Sequence, residues 1–254
     1  MTDTRTIVIT GAAKGIGRAV AENFAADAGT HLVLLDLDLR ELQRWTAEHQ
    51  GAATLETHVA DIADLAALRG LFDELGKRLG YIHVLVNSAG ICNENEPEDL
   101  DNWQRVISVN LNGTFYVTSL CLPLMPKHAR IVNMASILGR AGKVRNTAYC
   151  ASKHGIVGMT KALALDVAPR QITVNAILPA WIDTPMLRQE LAVQAGIAGI
   201  SEEQIQRNAK KKLPLRRFIQ SEEVAALVRY LASAEAGGVT AQSLVIDGGV
   251  GLGM

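Results

Sequence analysis

The chain has 254 residues, of which 48% are hydrophobic and 20% charged, so it can bury the core of one large α/β domain or of two small ones. Its formal net charge of −1 provides no general attraction for nucleic acid or for an anionic membrane surface. Cys92, Cys121 and Cys150 are odd in number and widely spaced, which is typical of cytosolic core thiols rather than of a disulfide framework. The histidines lack the spacing of metal ligands, so we expect no metal site.

The N-terminus and the longest uncharged stretch both argue against a membrane protein. Residues 1–5 are polar and run directly into the first predicted strand, which leaves no room for a signal peptide. Residues 106–126 carry no charge, but Asn110, Asn112 and Thr118 make them too polar for a membrane span. We therefore expect a cytoplasmic protein in which residues 106–126 form a long helix buried on several sides.

Short β-branched runs alternate with helical segments along the whole chain. The predicted strands are residues 6–10, 31–36, 54–59, 82–87, 130–135, 172–178 and 243–246, and the helical segments include residues 64–79, 148–167 and 222–231. This alternation predicts a mostly parallel sheet with helices on both faces, joined by right-handed crossovers. No linker or repeat interrupts it, so residues 1–254 are expected to form a single domain.

A glycine-rich turn joins the first strand to the first helical pattern. Its residues 10–17 read TGAAKGIG. A helix that begins in such a turn offers unpaired N–H groups and about half a unit of positive charge, which suits a pyrophosphate. The second strand ends in Asp36, where a carboxylate accepts hydrogen bonds from the ribose hydroxyls of an adenosine. Together the turn and Asp36 predict a dinucleotide site.

Residues 183–213 interrupt the alternation of strands and helices. They contain no predicted strand, their helical pattern is imperfect, and they end near a cluster of three lysines at 210–212. Because they follow a strand at the carboxyl edge of the sheet, where ligands bind in such folds, a mobile lid over a substrate is one interpretation. The other is a solvated helical excursion with a charged face.

Polar side chains at three places suit acid–base chemistry. Tyr149 and Lys153 are four residues apart in a helical segment, so they share one face. A phenol needs its pKa lowered by about three units to act as a base at neutral pH, and a nearby ammonium contributes to that. Ser136 ends the fifth strand and either binds a substrate oxygen or caps the strand end. Asn110 either holds a water that relays protons from Lys153 or bridges backbone groups.

Taken together, these features resemble the short-chain dehydrogenase/reductase family over essentially the whole chain. The resemblance is carried by residues 10–17, 61–62, 87–90, 110, 136, 149–153, 179–186 and 246–249. It implies a single-domain Rossmann-type α/β fold, whose seven-stranded parallel sheet carries helices on both faces. It also implies hydride transfer between a nicotinamide cofactor and an alcohol or carbonyl carbon. The sequence departs from the usual family pattern at Ser88, which replaces an asparagine, and at Ala180, which replaces a glycine.

The resemblance also implies roles for individual residues. Tyr149 is the acid/base, Lys153 lowers its pKa and binds the nicotinamide ribose, Ser136 holds the substrate oxygen and Asn110 holds the relay water. The implied cofactor residues are Gly11, Lys14, Gly15, Ile16, Gly17, Asp36, Leu37, Asp61, Ile62, Asn87, Ala89, Gly90, Tyr149, Lys153, Pro179, Ile182 and Thr184. The expected substrate residues are Ser136, Leu138, Arg145, Tyr149 and Trp181.

Asp36 favours NAD as the cofactor. Its carboxylate would lie against the 2′-phosphate of NADP and repel it. Leu37 stands where relatives that use NADP often carry an arginine. Lys14 is the one residue that argues for NADP, because a basic residue in the glycine turn meets the 2′-phosphate in some relatives.

The leading function is therefore NAD-dependent oxidation of a small secondary alcohol, such as a hydroxy acid, a polyol or a sugar. An NADPH-dependent 3-oxoacyl reductase is an alternative that Asp36 disfavours. A non-catalytic, dinucleotide-binding redox sensor is another, which the presence of Tyr149 and Lys153 disfavours. Arg140, Lys143 and Arg145 lie between Ser136 and Tyr149 and either clamp an anionic substrate group or lie on the surface.

Two predicted helices, residues 106–126 and 148–167, are more apolar than the core of one chain requires. A large exposed apolar surface usually marks an interface, and pairing about a twofold axis would bury both helices. The glycine-rich residues 248–254 would then pack against a second neighbour. We therefore expect a homotetramer.

Overall fold

The structure of the chain is a computed structural model, which describes residues 4–49 and 51–251. Its strands are β1 (Arg5–Thr10), β2 (Thr30–Asp36), β3 (Thr54–Val59), β4 (Val84–Asn87), β5 (Arg130–Met134), β6 (Thr173–Pro179) and β7 (Ser243–Ile246). The main helices are α1 (Gly15–Ala25), α2 (Leu39–Glu48), α3 (Leu65–Leu79), α4 (Leu100–Ile107), α5 (Thr114–Cys121), α6 (Thr147–Val167), α7 (Pro185–Ala198), α8 (Glu202–Lys212) and α9 (Ser221–Ala232).

The strands form one seven-stranded sheet in the order β3-β2-β1-β4-β5-β6-β7. Each neighbouring pair is parallel, and at the centre Thr10 of β1 lies opposite Asn87 of β4. The chain leaves β3 at one edge and re-enters the sheet beside β1, so a crevice opens where the strand order reverses. The expected seven-stranded parallel α/β fold is confirmed.

Helices cover both faces of the sheet. On one face α1 and α9 bury Phe24 and Val228 against Leu34 of β2. On the other face α3 and α5 bury Phe72 and Val117 against the sheet. Side chains of the strands are therefore buried on both sides, which explains their nearly continuous apolar sequences.

The uncharged stretch at residues 106–126 differs from the single regular helix that its composition predicts. Its helix begins earlier, at Leu100, and then passes through a π-helical segment, Ser108–Gly113, before α5. It ends in a short 3₁₀ turn, Leu122–Leu124. Such π segments are rare and often occur at functional sites, and this one contains Asn110.

Residues 183–213 contain two helices, α7 and α8, and no strand. Thr184 caps α7 by accepting a hydrogen bond from the Leu187 N–H at 3.3 Å. Leu191 of α7 packs with Phe218 in a small apolar cluster separate from the two main ones. The segment therefore has its own packing centre beside the sheet. No helix in the described part of the chain is long and apolar enough to span a membrane.

Candidate active site

Residues that follow the carboxyl ends of β1 to β6 line one cleft of about 740 Å³, which lies within the usual range for ligand pockets. The cleft wall includes these residues that the sequence predicted for the site: Gly11, Lys14, Gly15, Ile16, Asp36, Leu37, Asp61, Ile62, Ala89, Gly90, Ser136, Leu138, Tyr149, Lys153, Pro179, Trp181, Ile182 and Thr184. Parallel strands thus bring together residues that are far apart in sequence.

The glycine turn is held by close backbone contacts. Gly11 has φ of +68°, and a Cβ there would lie 2.7 Å from the Cα of Ala89. A Cβ on Gly17 would lie 2.2 Å from the carbonyl oxygen of Gly11. Side chains are therefore excluded at both positions. Within the described residues, no side chain caps the start of α1, so the N–H groups of its first turn remain available to an anion in the cleft.

Two backbone hydrogen bonds fix the carboxylate of Asp36. Its Oδ2 accepts from the N–H of Ala13 at 2.9 Å, and its Oδ1 accepts from the N–H of Asp38 at 2.9 Å. Asp38 also accepts from Lys14 Nζ at 3.3 Å. Both oxygens of Asp36 keep a second lone pair for a hydroxyl donor, and the charge of Lys14 is directed towards Asp38.

Helix α6 presents Tyr149 and Lys153 to the cleft on adjacent turns. The buried Lys153 donates from Nζ to the carbonyl of Met134 at 2.9 Å, and this Nζ lies 5.5 Å from the centroid of the Tyr149 ring. Burial lowers the pKa of Lys153 to about 8. Burial raises the pKa of Tyr149 above that of a free phenol, while a hydrogen bond with Ser136 lowers it. The free site therefore holds a neutral phenol beside a cationic side chain.

Ser136 has a capping role, which is one of the two roles considered for it, and it also lines the cleft. Its Oγ accepts from the N–H of Leu138 at 3.2 Å and so caps the short 3₁₀ turn Ile137–Gly139. The same side chain hydrogen-bonds to Tyr149 and lies in the cleft wall. The cap holds the hydroxyl in place beside the phenol.

Asn110 lies beneath the cleft rather than in its wall. Its Oδ1 accepts from the N–H of Ile91 at 2.8 Å, and its Nδ2 donates to the carbonyl of Ile91 at 2.9 Å and to Ser152 Oγ at 3.2 Å. The amide thus bridges backbone groups, which is the second of its two alternatives. A Cβ on Gly90 would lie 3.2 Å from Asn110 Oδ1 and 3.5 Å from Lys153 Nζ, so the three residues are close neighbours.

Asn87 and Gly17 also lie outside the cleft wall. The Nδ2 of Asn87 donates to Thr118 Oγ1 at 2.9 Å and to Asn133 Oδ1 at 2.8 Å, which ties the end of β4 to α5 and β5. Gly17 lies behind the turn, against Gly11. Both residues therefore hold the elements behind the cleft wall together and do not line the cleft themselves.

The expectation that Arg145 binds substrate needs a correction. Its guanidinium pairs with Glu96 at 2.9 Å and with Glu94 at 3.7 Å, and the residue is absent from the described cleft wall. Arg145 adopts a φ of +58°. The two carboxylates hold its charge on the surface, which matches the alternative considered for it.

Trp181 is placed in the cleft despite the departure at Ala180. Both residues line the cleft, and the indole stacks on the ring of Phe218 with 6.2 Å between centroids. The neighbouring Ile182 forms a backbone bridge with Ile219. The methyl group of Ala180 is accommodated and is 8% exposed.

Two residues of the cleft wall, Cys92 and Arg105, carried no role in the sequence interpretation. Cys92 was interpreted as a core thiol, but it lies in the wall, and burial raises its pKa to about 11. The thiol is therefore neutral. Glu190 and Gln194 lie in α7, within residues 183–213. One interpretation of the sequence places that segment over a substrate, because it follows a strand at the carboxyl edge of the sheet.

Across residues 4–49 and 51–251, no group of three histidine, cysteine, aspartate or glutamate side chains is placed to hold a metal ion. All three cysteines are free thiols.

Comparison with known proteins supports a single family. The model of the family described as enoyl-(acyl carrier protein) reductase matches residues 11–251. A D-beta-hydroxybutyrate dehydrogenase from Rhizobium meliloti (strain 1021) is 37% identical over 254 residues, which cover 97% of this chain and 98% of that protein. A 3-oxoacyl-(acyl-carrier-protein) reductase from Thermotoga maritima is 36% identical, with 96% of each protein covered. The chain belongs to the short-chain dehydrogenase/reductase family. The resemblance seen in the sequence is thereby confirmed.

Solved structures of short-chain dehydrogenases/reductases have the same fold. The crystal structure of an actinorhodin polyketide ketoreductase variant with NADPH has a TM-score of 0.91 and 33% identity to this chain, and the match covers 99% of this chain and 98% of that one. Enzymes of the family use NAD or NADP. The residues of this cleft fit such a dinucleotide, because the turn excludes side chains at Gly11 and Gly17, the start of α1 lacks a side-chain cap, and a carboxylate ends β2.

Proposed function

We propose that the protein is an NAD-dependent dehydrogenase that exchanges a hydride between NAD and a small secondary alcohol or ketone. The observation that carries this proposal is that Ser136, Tyr149 and Lys153 line the same cleft as the glycine turn and Asp36. The substrates that fit this chemistry are hydroxy acids, polyols and sugars.

When bound, NAD supplies the hydride acceptor. The protein's part is to handle the proton of the alcohol. Tyr149 takes that proton through its phenol oxygen, and Ser136 donates a hydrogen bond to the same substrate oxygen. Because burial raises the pKa of Tyr149, the phenolate needs positive charge nearby, and Lys153 contributes it from the next turn of α6.

The preference for NAD rests on the charges around Asp36. The fixed carboxylate of Asp36 suits the two ribose hydroxyls and repels a 2′-phosphate. Asp38 adds a second carboxylate beside it. Lys14, the residue that argued for NADP, pairs with Asp38 at 3.3 Å, so less of its charge is available to a phosphate.

An NADPH-dependent 3-oxoacyl reductase is the second candidate. It is favoured by the similarity to the Thermotoga maritima enzyme of that name and disfavoured by Asp36. A non-catalytic, dinucleotide-binding redox sensor is disfavoured because Ser136, Tyr149 and Lys153 all line the cleft.

The test is to follow the absorbance of the reduced nicotinamide with NAD or NADP and a panel of secondary alcohols. We expect oxidation with NAD and a kcat/KM for NAD at least about tenfold above that for NADP, because one repelled phosphate costs more than 1.4 kcal/mol. A preference for NADPH, with reduction of 3-oxoacyl thioesters, would support the second candidate. Dinucleotide binding without turnover of any alcohol or ketone would support the sensor.

We also propose that the protein is a homotetramer. Phe115 of α5 is 53% exposed and Leu165 of α6 is 74% exposed, so these two helices carry apolar side chains on the surface of a single chain. Residues 252–254 of the glycine-rich end lie outside the described residues. Light scattering at micromolar concentration should give the mass of four chains. The mass of two chains would leave only the paired helices as an interface, and the mass of one chain would contradict both interfaces.

A further inference from the structure

The end of the cleft beyond Tyr149 is formed by two elements, the loop between β5 and α6 and the helix α7. The loop contributes Lys143, and α7 contributes Glu190 and Gln194 on successive turns. We call these three side chains the polar end of the cleft. None of them belongs to the proton-handling group Ser136, Tyr149 and Lys153.

The polar end is held together by contacts to one oxygen. Lys143 Nζ forms an ion pair with Glu190 Oε1, and Gln194 Nε2 donates to the same oxygen at 3.1 Å. The Lys143 and Glu190 side chains are 35% and 28% exposed, so the pair is partly shielded from solvent. Both contacts use Oε1, which leaves Oε2 of Glu190 to accept a hydrogen bond from another donor.

The polar end lies close to the reacting groups. The charge of Glu190 is among the causes that raise the pKa of Tyr149, after burial and Cys92. The pKa of Cys92 is raised by Glu190 and lowered by Lys143. Lys143 and Glu190 also line the same cleft as Tyr149, so a small molecule that places its hydroxyl on Tyr149 shares that cleft with both charges of the pair.

The charges at this end are already balanced. Four basic side chains occur in the described cleft wall. Lys143 pairs with Glu190, Lys14 pairs with Asp38, and Lys153 donates to the Met134 carbonyl. Arg105, the fourth, belongs to α4 and not to the two elements of the polar end. Arg145, on the same loop as Lys143, pairs with surface carboxylates. At the polar end a substrate carboxylate would therefore meet a lysine that is already paired, and it would have to displace Glu190, whose like charge repels it, from that lysine.

We infer that Lys143 and Glu190 select a neutral substrate with a second hydroxyl or another uncharged polar group near the reacting carbon, as in a polyol or a sugar, and disfavour a hydroxy acid. The inference rests on the proposed function, because it concerns the substrate of that site. Glu190 accepts a hydrogen bond from the second hydroxyl, and Lys143 donates one to it. The pair places a hydrogen-bond donor beside an acceptor, which suits a hydroxyl group because a hydroxyl can both accept and donate a hydrogen bond.

The test uses two substrates of the same carbon skeleton, the uncharged 3-hydroxybutyramide and the anionic 3-hydroxybutyrate, together with a vicinal diol. For the wild-type protein with NAD, we expect kcat/KM for the amide to exceed that for the acid by about tenfold or more. Glu190→Gln removes the repelling charge and frees Lys143, so the amide-to-acid ratio should fall about tenfold, mainly through KM. Lys143→Met leaves the carboxylate unpaired, so the ratio should rise.

Arg188→Gln is the matched control. Arg188 lies on the same helix and pairs with Asp183 at 2.8 Å, but neither residue lines the described cleft. This variant loses a partly exposed ion pair of α7 and should keep the wild-type ratio. Equal changes in Arg188→Gln and Glu190→Gln would show that the loss of any ion pair on α7 disturbs selectivity, and would overturn the inference.

A second readout separates this inference from the proposed function. Calorimetry measures the Kd of the amide and of the acid for the complex with NADH, in the wild type and in Glu190→Gln. Tighter binding of the amide, lost in Glu190→Gln, supports charge selection even if no alcohol is oxidised, an outcome that would defeat only the proposed function. Tighter binding of the acid by the wild type, or a ratio that Glu190→Gln leaves unchanged, overturns the inference.

Discussion

The two ends of the cleft are built in different ways. At the cofactor end, Thr10 Oγ1 accepts from the N–H groups of Ser88 and Ala89, each at 3.1 Å, and Gly11 lies directly against Ala89. At the polar end, which we propose binds the substrate, Lys143 of a loop and Glu190 of a helix form an ion pair through their long side chains. Backbone contacts leave the cofactor end little freedom, whereas a single substitution changes the charge pattern of the substrate end. Under the proposed function, the sheet therefore fixes the position of the hydride chemistry, and side chains determine the selectivity.

Tyr149→Phe changes a residue that lies between the two ends of the cleft, and we expect it to have the largest effect on activity of all the variants. We expect kcat to fall about 10³-fold, within the usual range for loss of a general acid or base. The Kd of NADH should stay nearly unchanged, because the phenol contributes little to holding the cofactor. Turnover within tenfold of the wild type would contradict the role of Tyr149. Steady-state kinetics and fluorescence titration with NADH provide the two measurements.

Gly17→Ala tests the rigidity of the cofactor end. The new Cβ would lie 2.2 Å from the carbonyl oxygen of Gly11, so the turn has to shift. We expect a loss of about 1–3 kcal/mol in the free energy of unfolding, as for other overpacked sites, and NADH binding weakened by about tenfold or more.

Gly70→Ala is the control for this change. Gly70 lies in α3, and an added Cβ would have no atom within 4 Å beyond its chain neighbours and the local backbone of that helix, so the substitution should raise stability slightly and leave NADH binding unchanged. Urea unfolding of both variants, together with NADH titration, checks the comparison. Equal behaviour of the two variants would show that the turn is less constrained than its contacts indicate.

Asp36→Ser combined with Leu37→Arg tests whether the cofactor end can be changed without affecting the substrate end. The double variant removes a repelling carboxylate and adds a partner for a phosphate. We expect the ratio of kcat/KM for NAD to that for NADP to fall by about tenfold or more. The relative rates with different alcohols should not change. If the wild type already prefers NADP, the argument from Asp36 is wrong.

The pKa of Lys153 allows a smaller test, of stability against pH in the cofactor-free protein. Burial lowers this pKa from 10.5 to about 8. Between these values the unfolded chain keeps a proton that the folded chain has lost, so the free energy of unfolding attributable to Lys153 rises with pH. Relative to Lys153→Met, the wild type should gain about 1 kcal/mol between pH 8 and pH 9. A constant difference between the two proteins would show that Lys153 titrates near its ordinary value.

The sheet was largely predictable from the sequence, and the form of one helix was not. The predicted strand 130–135 is observed as Arg130–Met134, and 172–178 as Thr173–Pro179, because runs of buried β-branched residues mark parallel strands directly. The π-helical segment around Asn110 has no comparable signature in the sequence. Its amide pairs with the backbone of Ile91, so this local geometry depends on a tertiary contact rather than on the periodicity of the helix.

The residues of the predicted site divide in the same way, into those that the sequence pattern places and those that depend on tertiary contacts. Gly11, Asp36, Ser136, Tyr149 and Lys153 follow strand ends or share a helix face, so spacing alone brings them to one edge. Arg145 and Lys143 lie two residues apart on one loop, and the sequence analysis assigned Arg145 rather than Lys143 to the substrate site. Their roles depend on carboxylates elsewhere, with Glu190 47 residues beyond Lys143. Such a pairing is visible only after the chain has folded.

The packing of α1 against α9 has a consequence for synthesis of the chain. Arg229 of α9 pairs with Asp27, just beyond α1, at 2.9 Å, and the two residues are 202 positions apart. The apolar face of α1 leaves the ribosome well before its partner helix is made, because about 200 residues separate the two. At about 5–20 residues per second, roughly 10–40 seconds pass between the two. During that time the apolar face of α1 around Phe24 lacks the cover that α9 provides, so the nascent chain is exposed to aggregation or to capture by a chaperone until α9 emerges.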